Sequence, residues 1–185
     1  YDLDGDLDLY VGNESTPSLQ APGQLFQNQG DGLFRDVAKL AGVLNNGMAK
    51  GVVWGDIDGD RWTDLIISNL NQKNRLYRNL GNGKFADISK KAGIESPISS
   101  FPLWTWDFNN DGHLDLYISS FSGSVEDATR TALGEKTEAE LSAVYQGNGT
   151  TKFRNVTSKT GPSVPILGMG ANFGDLDNDG FLDFY

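Results

Sequence analysis

Oxygen-bearing side chains at alternate residues recur four times in this chain of 185 residues, a spacing that suits capture of a hard cation. Two copies are complete: Asp107, Asn109, Asp111, Gly112, His113 and Asp115, then Asp175, Asp177, Asp179, Gly180, Phe181 and Asp183. Another copy, Asp56, Asp58, Asp60, Trp62 and Asp64, has Arg61 where the others have glycine. The earliest holds Asp2, Asp4, Gly5, Asp6 and Asp8 and lacks the opening residue of the pattern. Alternate oxygens, a sharp glycine turn and a closing aspartate converge on one point. Calcium takes roughly six to eight oxygens at about 2.3–2.6 Å and fits such a loop. Oxygen donors alone select calcium over zinc or copper, and magnesium prefers rigid octahedra that retain water. The EF-hand is excluded, because its twelfth-position glutamate would fall on Ile67 and Ile118. Turn chemistry explains Asp and Gly, but it does not require carboxylates or amides at alternate positions four times over.

The loops are positioned by a larger repeat. The segment from Leu25 and Phe26 to Asp36 and Val37 aligns with that from Leu76 and Tyr77 to Asp87 and Ile88. A third copy runs from Val144 and Tyr145 to Asn155 and Val156. The offsets are 51 and 68 residues, and the closing aspartates Asp64, Asp115 and Asp183 keep the same offsets. Two unrelated motifs in step mark one repeated structural unit. Each unit reads as four short strands: 51–55 into the acidic loop, 63–68 out of it, then 75–78 and 85–89 joined by the turn Gly81, Asn82, Gly83. Alternation, β-branched and aromatic residues and Asn/Gly turns agree on strands and hairpins. The reading is all-β, a fragment of a β-propeller built from four-stranded blades with the acidic loop between the first two strands. Its boundaries are a blade part over 1–48, blades over 49–100 and 101–162, and a blade part over 163–185.

The acidic loop and its approach, Val53-Trp54-Gly55-Asp56 or Asn172-Phe173-Gly174-Asp175, resemble the FG-GAP repeat of integrin α-chain propellers and bacterial VCBS-repeat proteins. The companion segment, Leu76 to Asp87 and on to Lys91-Ala92-Gly93, is similar to the ASPIC/UnbV or cartilage-acidic-protein-like subgroup. The resemblance implies that the first, third, fifth and ninth loop positions give side-chain oxygens and the seventh a carbonyl. That assigns Asp56, Asp58, Asp60 and Asp64 with the Trp62 carbonyl, and Asp107, Asn109, Asp111 and Asp115 with that of His113. It also assigns Asp175, Asp177, Asp179 and Asp183 with the Phe181 carbonyl. Asp2, Asp4 and Asp8, with Asp6 between them, make an incomplete first site. Arg61 departs from the pattern: it must bear the left-handed backbone cost, and its guanidinium is expected to compete with the cation. The resemblance further implies about seven blades in the whole propeller, both ends of this chain falling inside units.

Residues 121–143 are the extra length behind the 68-residue offset and read as two short helices, 125–133 and 137–143, around Gly134. Composition limits the partners. The formal charge is −10, and the loops hold 15 of the 25 Asp and Glu residues. Four divalent ions would bring the total to about −2. An acidic chain without a basic patch argues against nucleic acid, and no apolar run approaches a membrane span. A single histidine, His113, and no cysteine leave no Ser-His-Asp or Cys-His arrangement. The four tryptophans flank the loops and read as inter-blade packing. The expected function is a calcium-stabilised, non-catalytic module that binds a protein or glycan outside the cell, at its surface or in the periplasm. The alternative is the propeller scaffold of a secreted enzyme whose active site lies elsewhere.

Overall fold

The computed structural model describes residues 1–160 and 164–184. The expected boundary at 162/163 and Tyr185 lie outside the described residues. In chain order the strands are β1 (Leu9–Val11), β2 (Gln24–Asn28), β3 (Phe34–Asp36), β4 (Met48–Gly55), β5 (Asp64–Leu70), β6 (Arg75–Asn79) and β7 (Phe85–Asp87). They continue with β8 (Ser100–Trp106), β9 (Asp115–Ser120), β10 (Ala143–Gln146), β11 (Arg154–Asn155), β12 (Phe173–Gly174) and β13 (Asp183–Phe184). Four short helices intervene: α1 (Ala38–Ala41), α2 (Ser89–Ala92), α3 (Val125–Ala132) and α4 (Thr157–Thr160). Strands β4-β5-β6-β7 and β8-β9-β10-β11 form two four-stranded antiparallel sheets, flanked by β1-β2-β3 and β12-β13.

Successive strand residues point to opposite faces, and here both faces are covered. In β5, Leu65 and Ile67 enter a core shared with Tyr10, Leu25 and Val43 of the preceding unit. Ile66 between them enters a second core with Leu103, Leu116 and Ile118 of the next. The pattern repeats in β10, where Ala143 and Tyr145 face the second core while Val144 joins Trp104, Trp106 and Tyr117 in a third. Continuous apolar runs such as Leu65, Ile66 and Ile67, all fully buried, follow from sheets stacked face to face. Each such side chain contributes about 1.5–3 kcal/mol of burial. Stacked antiparallel blades hold the β4–β5 and β8–β9 connections, which are the acidic loops, at equivalent places.

The one-turn helices were not expected from the sequence. Asp36, Asp87 and Asn155 close the fourth strands and accept from the N–H groups of Ala38, Ser89 and Thr157, two residues on, at 3.0 Å, an Asx turn that leads into each helix. In the insertion, α3 forms where expected, its capping box made by Ser124 and Asp127. The second expected helix, 137–143, is absent, and Ala143 begins β10. Polar side chains pin this stretch instead. Thr137 Oγ1 donates to Asp127, the Glu140 N–H donates to Ser122 Oγ at 3.2 Å, and Glu140 Oε2 accepts from the Ile98 and Ser99 N–H groups at 2.7 and 3.3 Å. Such side-chain-to-backbone bonds outcompete a weak local helix preference.

Candidate metal centres

The second, third and fourth acidic loops each leave one strand and enter the next with a shared internal wiring. The first-position carboxylate spans the loop. Asp56 accepts from Asp60 and Arg61 N–H at 3.1 and 2.8 Å, Asp107 from Asp111 and Gly112 at 3.0 and 2.7 Å, and Asp175 from Asp179 and Gly180 at 3.1 Å each. The sixth residue must take positive φ, and Arg61 does so at +74°, beside +82° at Gly112 and +89° at Gly180. The left-handed cost expected of Arg61 is therefore present.

The ninth-position aspartates anchor the loops to the sheet. Asp64 accepts from Ile57 N–H at 3.1 Å and, in the third strand, from Asn79 N–H at 2.7 Å. Asp115 does the same with Phe108 at 3.0 Å and Gly147 at 2.8 Å, and both residues are fully buried. Asp8 accepts from Asn28 N–H at 2.9 Å and from the Tyr1 nitrogen at 2.6 Å, and Asp183 accepts from Leu176 N–H at 3.0 Å. Burial pushes the Asp64 and Asp115 carboxyls up to about 6, against these hydrogen bonds, which pull them down.

Among the described residues, Asp56, Asp58 and Asp64 bring one carboxylate oxygen each within 4.8 Å of the others, as do Asp175, Asp177 and Asp183. In the third loop the middle donor is the Asn109 amide, whose Oδ1 accepts from Asp111 N–H at 3.2 Å. The fifth-position carboxylates Asp60, Asp111 and Asp179 lie outside the two clusters, each with Oδ1 accepting from the seventh-position N–H, of Trp62, His113 and Phe181, at 2.9 Å. In the first loop the Asp2 and Asp4 carboxylates accept from Asp4 and Asp6 N–H at 3.4 and 3.0 Å, and no such carboxylate cluster forms. The donors fit a hard cation: they are oxygens only, and Asp58 Oδ1 is buried without a hydrogen-bond partner. A buried, unpartnered carboxylate oxygen is costly unless a cation meets it.

Two features of the loops escape the sequence pattern. The guanidinium at the second loop belongs to Arg78 in β6, not to Arg61: Nε meets Asp58 Oδ2 at 2.5 Å and Nη2 meets Asp60 Oδ2 at 2.8 Å. Arg61 is exposed and serves the loop through its N–H to Asp56. The seventh residue also has a task for its side chain. A Cβ on Gly81 would lie 2.8 Å from the Trp62 ring, one on Gly149 2.6 Å from the His113 ring, and one on Gly30 3.1 Å from Asp6 Oδ2. The seventh side chain thus rests on the glycine turn between the third and fourth strands. Trp54, by contrast, packs against the first core, and Trp104 and Trp106 lie in the third.

FG-GAP-like repeats match residues 1–67, 56–118 and 107–185, spans that overlap at the second and third acidic loops. The chain belongs to the FG-GAP-like repeat family. It is 28% identical over 181 residues to human cartilage acidic protein 1, covering 95% of this chain and 25% of that protein. The mouse protein of that name is 28% identical over 181 residues, 95% of this chain and 26% of its own length. The Xenopus tropicalis protein is 27% identical over 155 residues, 83% of this chain and 22% of its own length. The chain thus spans about a quarter of the curated relatives it matches. Within this FG-GAP array, the described residues contain no helix long and apolar enough to cross a membrane.

Proposed function

We infer that these FG-GAP blades bind calcium in their acidic loops and serve as a non-catalytic module that engages a protein or glycan outside the cytoplasm. The observation that carries the calcium reading is the convergence of the Asp56, Asp58 and Asp64 carboxylates, with Asp58 Oδ1 buried and unpartnered, and a second such cluster at Asp175, Asp177 and Asp183. In the second loop Asp56, Asp58, Asp60 and Asp64 would hold the ion with the Trp62 carbonyl. In the third, Asp107, Asn109, Asp111 and Asp115 would do so with the carbonyl of His113. Asp175, Asp177, Asp179 and Asp183 serve the fourth with the Phe181 carbonyl, and Asp2, Asp4 and Asp8 give a partial first site. The bound ion supplies positive charge to loops whose carboxylates otherwise repel one another.

The non-catalytic reading rests on the residues themselves. The sole histidine lies against Gly149, and the clustered carboxylates belong to the repeat. The cartilage in the relatives' name supports an extracellular setting. Partners in this reading are further blades of the propeller and an external protein or glycan. Calorimetry with calcium, magnesium and zinc tests the metal. Calcium is expected to bind with the highest affinity, and tighter zinc binding would overturn the assignment. Pull-down from an extracellular-matrix extract tests the partner by comparing calcium with chelator. Capture that survives chelation unchanged would count against a calcium-organised binding surface.

A further inference from the structure

One position of the third strand reaches over the acidic loop in each of three units. Gln27 Nε2 donates to Asp2 Oδ2 at 2.7 Å, and Gln146 lines one surface hollow with Asp111 and His113. In the second unit the equivalent residue is Arg78, and its fork takes one oxygen from Asp58 and one from Asp60. Asp58 is largely buried, its side chain 8% exposed. The neutral amides of Gln27 and Gln146 can tie a loop to its strand without altering its charge. A guanidinium does both, because it is permanently charged and presents its donors as a rigid fork.

We propose that Arg78 is a resident counter-cation of the second loop, which lowers calcium affinity there and holds the loop shaped when calcium is absent. The inference rests on the calcium reading above. Arg78 engages Asp60 Oδ2 and sets a positive charge beside Asp58, opposing a second cation. Asp58 Oδ1 remains unpartnered, so the site is weakened and not closed. Asp64 and Asp56 keep their own hydrogen bonds to the backbone, independent of Arg78. The second loop thereby differs from the third in two respects: a non-glycine sixth residue and an internal cation. The two would fill in order, the third loop at low calcium and the second at higher calcium.

Calcium titration followed by NMR tests this loop by loop, reading the amides of Gly59, Gly112 and Gly180 in the unaltered chain, Arg78→Gln and Arg78→Lys. Glutamine is the residue that Gln27 and Gln146 provide in the sister units, and a dispersed spectrum verifies folding of each variant. The expected result is a Gly59 midpoint at higher calcium than that of Gly112 in the unaltered chain. In Arg78→Gln it should move down by about tenfold, while in Arg78→Lys it should stay high. Hydrogen exchange in chelator should show Gly59 and Arg61 amides less protected in Arg78→Gln. If Gly112 and Gly180 respond but the Gly59 midpoint in Arg78→Gln is unchanged or weaker, the role given to Arg78 is overturned and the calcium reading stands. If none of the three glycines responds, the calcium reading falls and the inference with it.

Discussion

Asp64 Oδ1 accepts the Asn79 N–H at 2.7 Å, joining the end of an acidic loop to the third strand of the same sheet. With its other oxygen on Ile57 N–H, this buried carboxylate is a fold element whether or not a cation is bound. Removing it strands two backbone donors. Asp64→Ala is expected to cost about 2–5 kcal/mol of stability in chelator. Asp60→Ala removes an exposed carboxylate paired with Arg78 and should cost under about 1 kcal/mol. Urea unfolding of both variants in EDTA checks the contrast. Equal losses would refute the anchoring role.

The buried pair Asp64 and Asp115 also gives a pH signature. Both carboxyls titrate near about 6 in the fold, raised mainly by burial from an ordinary value of 3.8. A raised carboxyl means that, between about 6 and 4, the metal-free folded state binds protons the unfolded chain does not. These two groups therefore add stability to the metal-free fold as pH falls through 6, complete below about 4, and lose it as pH rises. Calcium needs the ionised form, so its binding weakens over the same window. Melting curves at pH 7 and 5 should show the calcium-induced rise in Tm shrinking at pH 5. A rise of equal size at both values would contradict the shift.

Calcium in the third and fourth loops should stabilise the fold by mass action. A site filled at tenfold above its dissociation constant contributes about 1.4 kcal/mol. Excess EDTA is then expected to lower the Tm by several degrees, and calcium to restore it. Identical melting curves with and without EDTA would remove calcium as a structural component.

Much of this fold is legible in the residues alone. The alternate-position oxygens, the 51- and 68-residue offsets and the Asn/Gly turns specify strands, hairpins and loops, because those features are local. Local signals also explain the errors. Arg61 was the visible basic residue within the loop, yet Arg78 lies 20 residues from Asp58 and reaches it only through the pairing of β5 with β6. Aligning Gln27, Arg78 and Gln146 held the one available clue. One-turn helices such as α1 and α2 are too short for a helical period to register. The stretch 137–143 has a helical composition, but its conformation is set by Glu140 bonding to residues 98 and 99, about forty positions away.

Arg61 keeps a narrower role than its charge suggested. At φ +74° a side chain carries a steric penalty that glycine avoids. Arg61→Gly is expected to stabilise the chelated protein by about 0.5–1 kcal/mol, the N–H bond to Asp56 being retained. It should tighten calcium binding at the second loop far less than Arg78→Gln. Parallel titrations of the two variants decide which arginine governs the site, and a larger gain from Arg61→Gly would reverse the assignment.

Gly81 and Gly83 share one hairpin turn and one backbone conformation, φ +70° and +75°, but only Gly81 lies against Trp62. A Cβ at position 81 would come within 2.8 Å of the indole, whereas nothing lies within 4 Å of one at 83. Gly83→Ala therefore measures backbone strain alone, about 1 kcal/mol. Gly81→Ala adds the displacement of a packed ring, about 1–3 kcal/mol more. Because Trp62 is also the seventh loop residue, moving its ring should disturb the second loop. Gly81→Ala is expected to alter the Trp62 environment in fluorescence and weaken calcium binding at that loop, while Gly83→Ala leaves both near their starting values. Equal destabilisation by the two alanines, with equal calcium midpoints, would mean that the ring does not couple this turn to the loop.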